Sequence, residues 1–473
     1  MLILLLCIFI ALLIGTYFLF KKDIMQPAVV FVAMYVVSIF CAVVNIEKWN
    51  IDFKLNTFIV LLVGAIEFIG VSFLVYKLCV KKKKKEHGLD KTESNNPTVD
   101  SQSVKEMDVE KIALWKILLI CVYDIVIISL LLYNVFQIAS NFGTFNSLSQ
   151  ALGLYKEHAS YNVDASLPKY LGRLQKPIYA FAYVMMFFYL KNIVYSKEKV
   201  IKTIFKKIYY VIPSICFIIQ EFLSSNRLSI LSLLIGAFTM YIIIWNQKNN
   251  WTKKIKLKYV GFLGILAIVF LILFYFSASL VGRKNSKNMV DYITLYCGGS
   301  IECLNQYMQK PPVNQDKPVG GESFYYLIKN FYDYGLLKID KFYPIHLEFR
   351  YNNNVMIGNV YTGYRRWIND FGFIGAFLLQ GIMAGLYSFM YNKIRDLKKY
   401  KNFVIIMYGY MSYALFLHCI DGYLYLLVVR IAFFTTLLTF MAVYWFLIRF
   451  SVNKIRDVFR KNLNDVNNKK VRN

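Results

Sequence analysis

The chain has 473 residues, 58% of them hydrophobic, with a mean hydropathy of +0.45 and a formal net charge of +27. Leu, Ile, Val, Phe and Tyr come in runs of about twenty, the length that crosses a ~30 Å hydrocarbon core as helix, and period-two alternation is missing. A soluble fold and a transmembrane β-barrel are excluded, and the expected class is an all-α polytopic membrane protein.

In chain order the apolar runs predict eleven spans, at 2–20, 28–46, 57–80, 112–138, 174–195, 208–223, 228–246, 259–281, 368–391, 402–418 and 424–448. The first is read as a span rather than a cleaved signal peptide, because it lacks a basic n-region and is followed by Lys21-Lys22. With the N-terminus outside, the short inner connections 21–26, 196–207, 247–258 and 392–401 hold seventeen Lys/Arg, and the short outer ones, 47–56, 224–227 and 419–423, hold three. That asymmetry is the positive-inside rule, and it puts the C-terminus in the cytoplasm. It also accounts for the basic charge without nucleic acid: Lys81–Lys85 and the basic tail 449–473 read as anchors near anionic lipid.

Polar stretches separate the spans. Residues 81–111 read as a flexible cytoplasmic linker and 139–173 as an outer loop, while 282–367 form a large outer loop. Between Gly282 and Arg366 stand eleven Lys/Arg, seven Asp/Glu and eleven tyrosines, so this segment is not linker-like. The run Phe324–Leu337, "FYYLIKNFYDYGLL", is too short and charged to span and suits a helix lying in the interface. Its tyrosines serve either as an aromatic belt or as faces for sugar rings, with the basic groups suited to phosphates.

No nucleotide-binding signature is present, and the scattered cysteines and four histidines show no metal-ligand spacing, so neither cofactor nor metal is expected. Cys297 and Cys303 lie six apart on the outer side, without the look of a disulfide framework.

Two basic constellations fall on the side where Lys and Arg are depleted. "EFLSSNRLSIL" places Arg227 at the tip of the hairpin between spans six and seven, with Asn226 or Ser225 as N-cap. Arg227 is either a snorkelling arginine on headgroups or, with the N–H groups opening span seven, an anion cradle. Glu221 lies within about two turns of it. In "GNVYTGYRRWINDFGFIG", Arg365 and Arg366 precede span nine, Asp370 enters the membrane, and Gly372 and Gly375 suit close backbone approach. Asp370 beside two guanidinium groups is either a structural ion pair or a general base near phosphate binders. Glu67, Asp124 and Arg430 fall within spans, where pairing of Glu67 with Arg430 would satisfy both. His418 and Asp421 reach the outer face.

These stretches resemble the Wzy-type oligosaccharide repeat-unit polymerases that build O-antigens and capsules, relatives of the O-antigen ligases. "SSNRLSIL" is similar to the family's small-polar, Arg, apolar pattern, and Arg227 with Leu231 matches the R-x-x-x-L element shared with the ligases. "YITLYCGGSIECLNQYM" resembles the helix that follows the start of the large loop, and "NVYTGYRRWINDFGFIG" resembles the loop's exit. Gly358 stands before Asn359 where the ligases carry histidine, and the R-x10-G repeats of some polymerases are absent.

The resemblance implies a GT-C-like, metal-independent glycosyltransferase in a bacterial inner (plasma) membrane. It would polymerise undecaprenyl-diphosphate-linked repeat units, with a flippase and a chain-length regulator as partners. Arg227, Arg283, Arg365 and Arg366 would hold the diphosphate. Asp370, His346 and Glu348 are the candidates for the base, and Asn359, Tyr361, Tyr364 and Glu221 would meet the glycan. An O-antigen ligase, or a transporter or flippase of the same lipids, is the alternative.

Overall fold

The computed structural model describes residues 1–89, 112–161, 167–224, 226–253, 272, 275–276, 288–312, 317–339, 342–352, 354–395 and 402–450, with side chains omitted at 80–89 and 159–161. Its helices are α1 (Leu2–Leu19), α2 (Pro27–Val44), α3 (Leu55–Leu89), α4 (Leu114–Ser140), α5 (Leu148–Tyr161), α6 (Lys169–Leu174), α7 (Lys176–Tyr195), α8 (Val200–Lys206), α9 (Ile212–Leu223), α10 (Arg227–Lys248), α11 (Met289–Gln309), α12 (Tyr325–Asp333), α13 (Tyr364–Ile394), α14 (Asn402–Phe416), α15 (Tyr423–Val428) and α16 (Ile431–Ile448). Strands β1 (Arg350–Asn352) and β2 (Val355–Gly358) make one antiparallel hairpin. Among the described residues eight helices are long and apolar enough to cross a membrane, or nine if the pair Val200–Lys206 and Ile208–Leu223, bent by 63°, is one span. The chain is an all-α polytopic membrane protein.

Burial follows the physics of a bilayer. α1 buries Leu2, Leu5, Phe9 and Thr16, a single stripe at helical spacing, and turns Ile3, Leu4, Ile10 and Ile14 outward. α4 does the same with Ile117, Ile120, Ile127 and Leu131 inside and Leu118, Val122 and Ile125 outside. A helix with lipid on one side has no reason to hide that side. α7, by contrast, is enclosed on most of its surface. At the crossing of α10 and α14 a Cβ on Gly236 would stand 2.8 Å from the carbonyl oxygen of Gly409, so only glycine allows that approach. Thr239 Oγ1 bonds Ser412 Oγ across it at 3.2 Å.

Ten of the eleven expected spans fall on described helices, with two differences, and the eighth, 259–281, lies mostly outside the described residues. The eleventh is divided: α15 stops at Val428 and α16 starts at Ile431, so Arg430 is the N-cap of α16 and not a residue inside one continuous helix. It lies 5.3 Å over the Tyr326 ring, whereas Glu67 faces Gly381 in the α3–α13 seam, so the expected Glu67–Arg430 pair does not form. The expected linker is helical at 81–89, because Lys and Glu propagate α3 as far as Leu89. Residues 90–111, most of 259–281 and the tail from 451 lie outside the described residues.

The connections sort to two ends of the bundle. At one end Asp23 meets Arg395 at 3.7 Å and accepts the Tyr391 hydroxyl at 2.9 Å, Trp251 packs on Tyr391, and Lys248 bonds the Val194 carbonyl. These contacts bring together the four basic connections. At the opposite, capped end, α11 lies across the bundle rather than through it. Along its length it meets Lys48, Arg227, Cys41, the Cys419 carbonyl, Gly358 and Asp52, all near helix ends on that side. Asn305 of α11 also accepts the Lys54 N–H at 3.0 Å and the Thr57 hydroxyl at 3.2 Å, capping α3 from outside its own sequence.

α13 carries a kink at Gly372, where φ is 65° and ψ is −172°. A Cβ there would meet nothing within 4 Å, and a Cβ on Gly375 would meet Phe371 of the same helix at 2.2 Å. The glycines therefore serve the kink and not the close helix approach expected of them. That backbone region is almost confined to glycine, so Gly372→Ala is expected to cost about 1–3 kcal/mol. Gly15→Ala, in open helical surroundings, should cost nothing measurable. Thermal unfolding of the two variants in detergent checks the contrast.

Candidate functional site

The site is built where α13 begins. Gly363 donates its N–H to the His418 carbonyl at 2.8 Å, and a Cβ there would stand 2.3 Å from His418 Nε2, so the α14–α15 connection presses directly on the first turn of α13. His418 is a core residue: Tyr35 Oη meets its Nδ1 at 3.0 Å, and Phe31, Tyr364 and Trp367 surround the ring. The next residues, Tyr364, Arg365, Arg366 and Trp367, are all buried.

The two arginines point to different partners. Arg366 grips Asp421 bidentately, Nε to Oδ1 at 2.8 Å and Nη2 to Oδ2 at 3.0 Å, and reaches the Ile345 carbonyl at 3.4 Å. Arg365, with no exposed side-chain surface, ion-pairs with Glu322 and with Glu348 at 3.1 Å. Its guanidinium stacks 4.4 Å from the Tyr307 ring. Lys317 binds the same Glu322 at 2.8 Å, and Arg350 binds Glu348 at 3.0 Å. The result is an alternating row, Lys317, Glu322, Arg365, Glu348, Arg350, that ties the cap to the bundle.

Asp370 is not beside the guanidinium groups. Its carboxylate accepts the Glu322 N–H at 3.1 Å and the Ser323 N–H at 2.6 Å, holding the turn that carries Glu322 to Arg365. Of the three candidate bases, Asp370 is thus occupied by backbone and Glu348 by two cations. Burial raises the Glu348 pKa, but Arg365 and Arg350 outweigh it and hold the carboxyl below its ordinary value. His346 is exposed, and partial desolvation together with Lys156 and Arg366 pushes its imidazole below the ordinary value, which keeps it neutral and able to accept a proton at pH 7.

The glycan candidates fare unevenly. Tyr361 is buried, its hydroxyl donating to the Glu348 carbonyl and accepting from Arg350 Nε, each at 3.0 Å. Tyr364 is buried against Gly64 and Gln380. Glu221 is buried and accepts from Tyr179 at 2.7 Å, Gln220 at 2.9 Å and Asn226 at 2.9 Å. None of the three offers its polar atoms to a ligand, and only Asn359 is part-exposed. Asn226 occupies the N-cap position of α10, but its amide goes to Glu221 and to Ser229 at 2.8 Å, not to backbone. Ser225 and Arg283 lie outside the described residues.

Arg227 opens α10 as a buried residue and donates to the Tyr292 hydroxyl at 3.1 Å, so it is not the exposed tip its position in the sequence suggests. Tyr292 and Tyr307 are both on α11, and fifteen residues at 1.5 Å each separate them by about 22 Å. Arg227 and Arg365, which meet those two tyrosines, therefore do not form one cradle for a single diphosphate. Among the described residues no group of three His, Cys, Asp or Glu side chains gathers as a metal site would require. Comparison with known protein families, curated proteins and solved structures finds no match for the chain.

Proposed function

We propose that the chain is a membrane glycosyltransferase that polymerises undecaprenyl-diphosphate-linked oligosaccharide units at the outer face of a bacterial plasma membrane. In this reading the bundle has eleven spans, its N-terminus outside, its basic end in the cytoplasm and its capped end outside. The observation that carries it is the gathering of α11, α12 and the β-hairpin into one polar, aromatic cap at a single end, joined to the first turn of α13 by the row from Lys317 to Arg350. A transporter is expected to carry its cations deep in a central cavity; the ion-paired arginines of α13 sit instead at a helix opening beneath the cap.

The resemblance of "SSNRLSIL" and "NVYTGYRRWINDFGFIG" to the polymerases supplies the reaction class. Within it, the occupied carboxylates leave His346 as the base for the acceptor hydroxyl, while inversion at the anomeric carbon expels the lipid diphosphate. Arg365 and Arg366 become positioning residues, and Arg227, with Arg283 outside the described residues, remains as a diphosphate contact. Purified protein given a synthetic undecaprenyl-diphosphate oligosaccharide, with no nucleotide, is expected to release free undecaprenyl diphosphate. Recovery of the lipid-linked oligosaccharide intact would refute a transferase.

A further inference from the structure

A second cationic cluster lies at the capped end and includes no residue so far given a ligand-binding role. Arg430 caps α16 with an extended backbone (φ −157°, ψ 146°) and faces Tyr326 of α12. Its Nε is enclosed and has no hydrogen-bond partner, while the guanidinium interacts with the Tyr410 hydroxyl of α14. Lys176, the first residue of α7, reaches across to the Thr435 hydroxyl in the second turn of α16. Arg173, exposed in the last turn of α6, and Arg430 are the charges that act on Lys176.

Arg350, Arg365, Arg366 and Arg395 each have a carboxylate within 4.0 Å. Among the described residues Arg173, Lys176 and Arg430 have none. Glu221, which also acts on Tyr410, is occupied by Tyr179, Gln220 and Asn226. Three cations held together without a counter-charge repel one another, and the N-termini of α7 and α16, whose dipoles are positive there, add to the excess. The mutual repulsion works against folding, whereas a bound anion gains from all three charges.

We propose that Arg430, Lys176 and Arg173 form a binding site for the phosphate or diphosphate headgroup of a membrane lipid. Arg430 supplies a planar fork for phosphate oxygens, Lys176 a point charge, and both sit at helix openings. Tyr179, one turn beyond Lys176 on α7, bonds Glu221, and Glu221 holds Asn226 beside Arg227, so the cluster continues into the Arg227 region. Naming the lipid as a polyprenyl diphosphate substrate rests on the function proposed above; the anion site itself rests on the charges.

The test is equilibrium binding to the full-length protein in detergent, with farnesyl diphosphate, farnesol and inorganic pyrophosphate as probes. Farnesyl diphosphate is expected to bind saturably and farnesol not at all. Each lost cation should weaken binding on the order of tenfold, so Arg430→Gln with Lys176→Gln loses about a hundredfold. Arg173→Gln, an exposed change that the fold tolerates, should weaken it in the same direction. Unchanged affinity in the double variant and in Arg173→Gln would overturn the site, as would no binding by the unaltered protein. Equal affinity for pyrophosphate and farnesyl diphosphate would overturn the lipid assignment. If binding behaves as expected but no polymer forms, the anion site stands and the polymerase reading falls. If polymer forms equally well with and without the cations, the polymerase reading stands and the assignment of the bound lipid to its reaction falls.

Discussion

Alanine at Arg365 is expected to lose the fold before it loses the chemistry. As a phosphate ligand the residue would be dispensable for stability. In the structure its guanidinium is buried between Glu322, itself 2% exposed, and Glu348. Truncation strands an almost fully buried carboxylate opposite Lys317 alone and removes the ion pairs between the cap and α13, leaving the Asp370 and Arg366 contacts. Removing one partner of such a pair costs about 3–5 kcal/mol, a large part of the ~5–15 kcal/mol that holds a folded chain together. Thermal unfolding in detergent should show a midpoint well below that of the unaltered protein. Arg365→Met combined with Glu322→Gln and Glu348→Gln, which removes the buried guanidinium together with both of its carboxylates, should recover part of the loss. An alanine variant with an unchanged midpoint would mean the ion pairs are not formed as described.

His346→Ala is expected to do the opposite, leaving the unfolding midpoint alone and lowering the transfer rate about 10²–10⁴-fold, the usual effect of losing a general base. The side chain is exposed in the segment before β1, so little packing is lost. Its pH behaviour has a definite sign. Partial desolvation, then Lys156 and Arg366, depress the imidazole pKa below its ordinary ~6.5. The base form is therefore present at pH 7 and is lost only as the pH falls through that lowered value. The rate should be flat near neutrality and drop on the acid side, and His346→Gln should remove this acid limb along with most of the rate. An acid limb that survives the substitution would transfer the role to another group.

The spans were legible because a hydrocarbon core admits only helix of a certain length and apolarity, and a single sequence displays both. What escaped was set by contacts distant in sequence. Nothing near Arg365 and Arg366 announces Glu322, Glu348 or Asp421, which come from 17 to 55 residues away. The break at Val429–Arg430 lies in an apolar run whose one charge is Arg430, which the structure places over Tyr326 of the cap. Lys81–Lys85 read as linker from charge, yet lysine is a good helix former and α3 continues through them. His418 gave no signal of its role as the residue pressed on Gly363, although "LHCIDGY" could have been read as a tight connection at the end of a span.

The most direct test of the account is a reconstitution in which purified protein receives synthetic undecaprenyl-diphosphate repeat units and the products are sized on a gel. A ladder of multiples of the repeat unit, growing with time and absent in His346→Ala, is the predicted result. A single unaltered band over the same period, from protein shown to be folded by its unfolding midpoint, would contradict it.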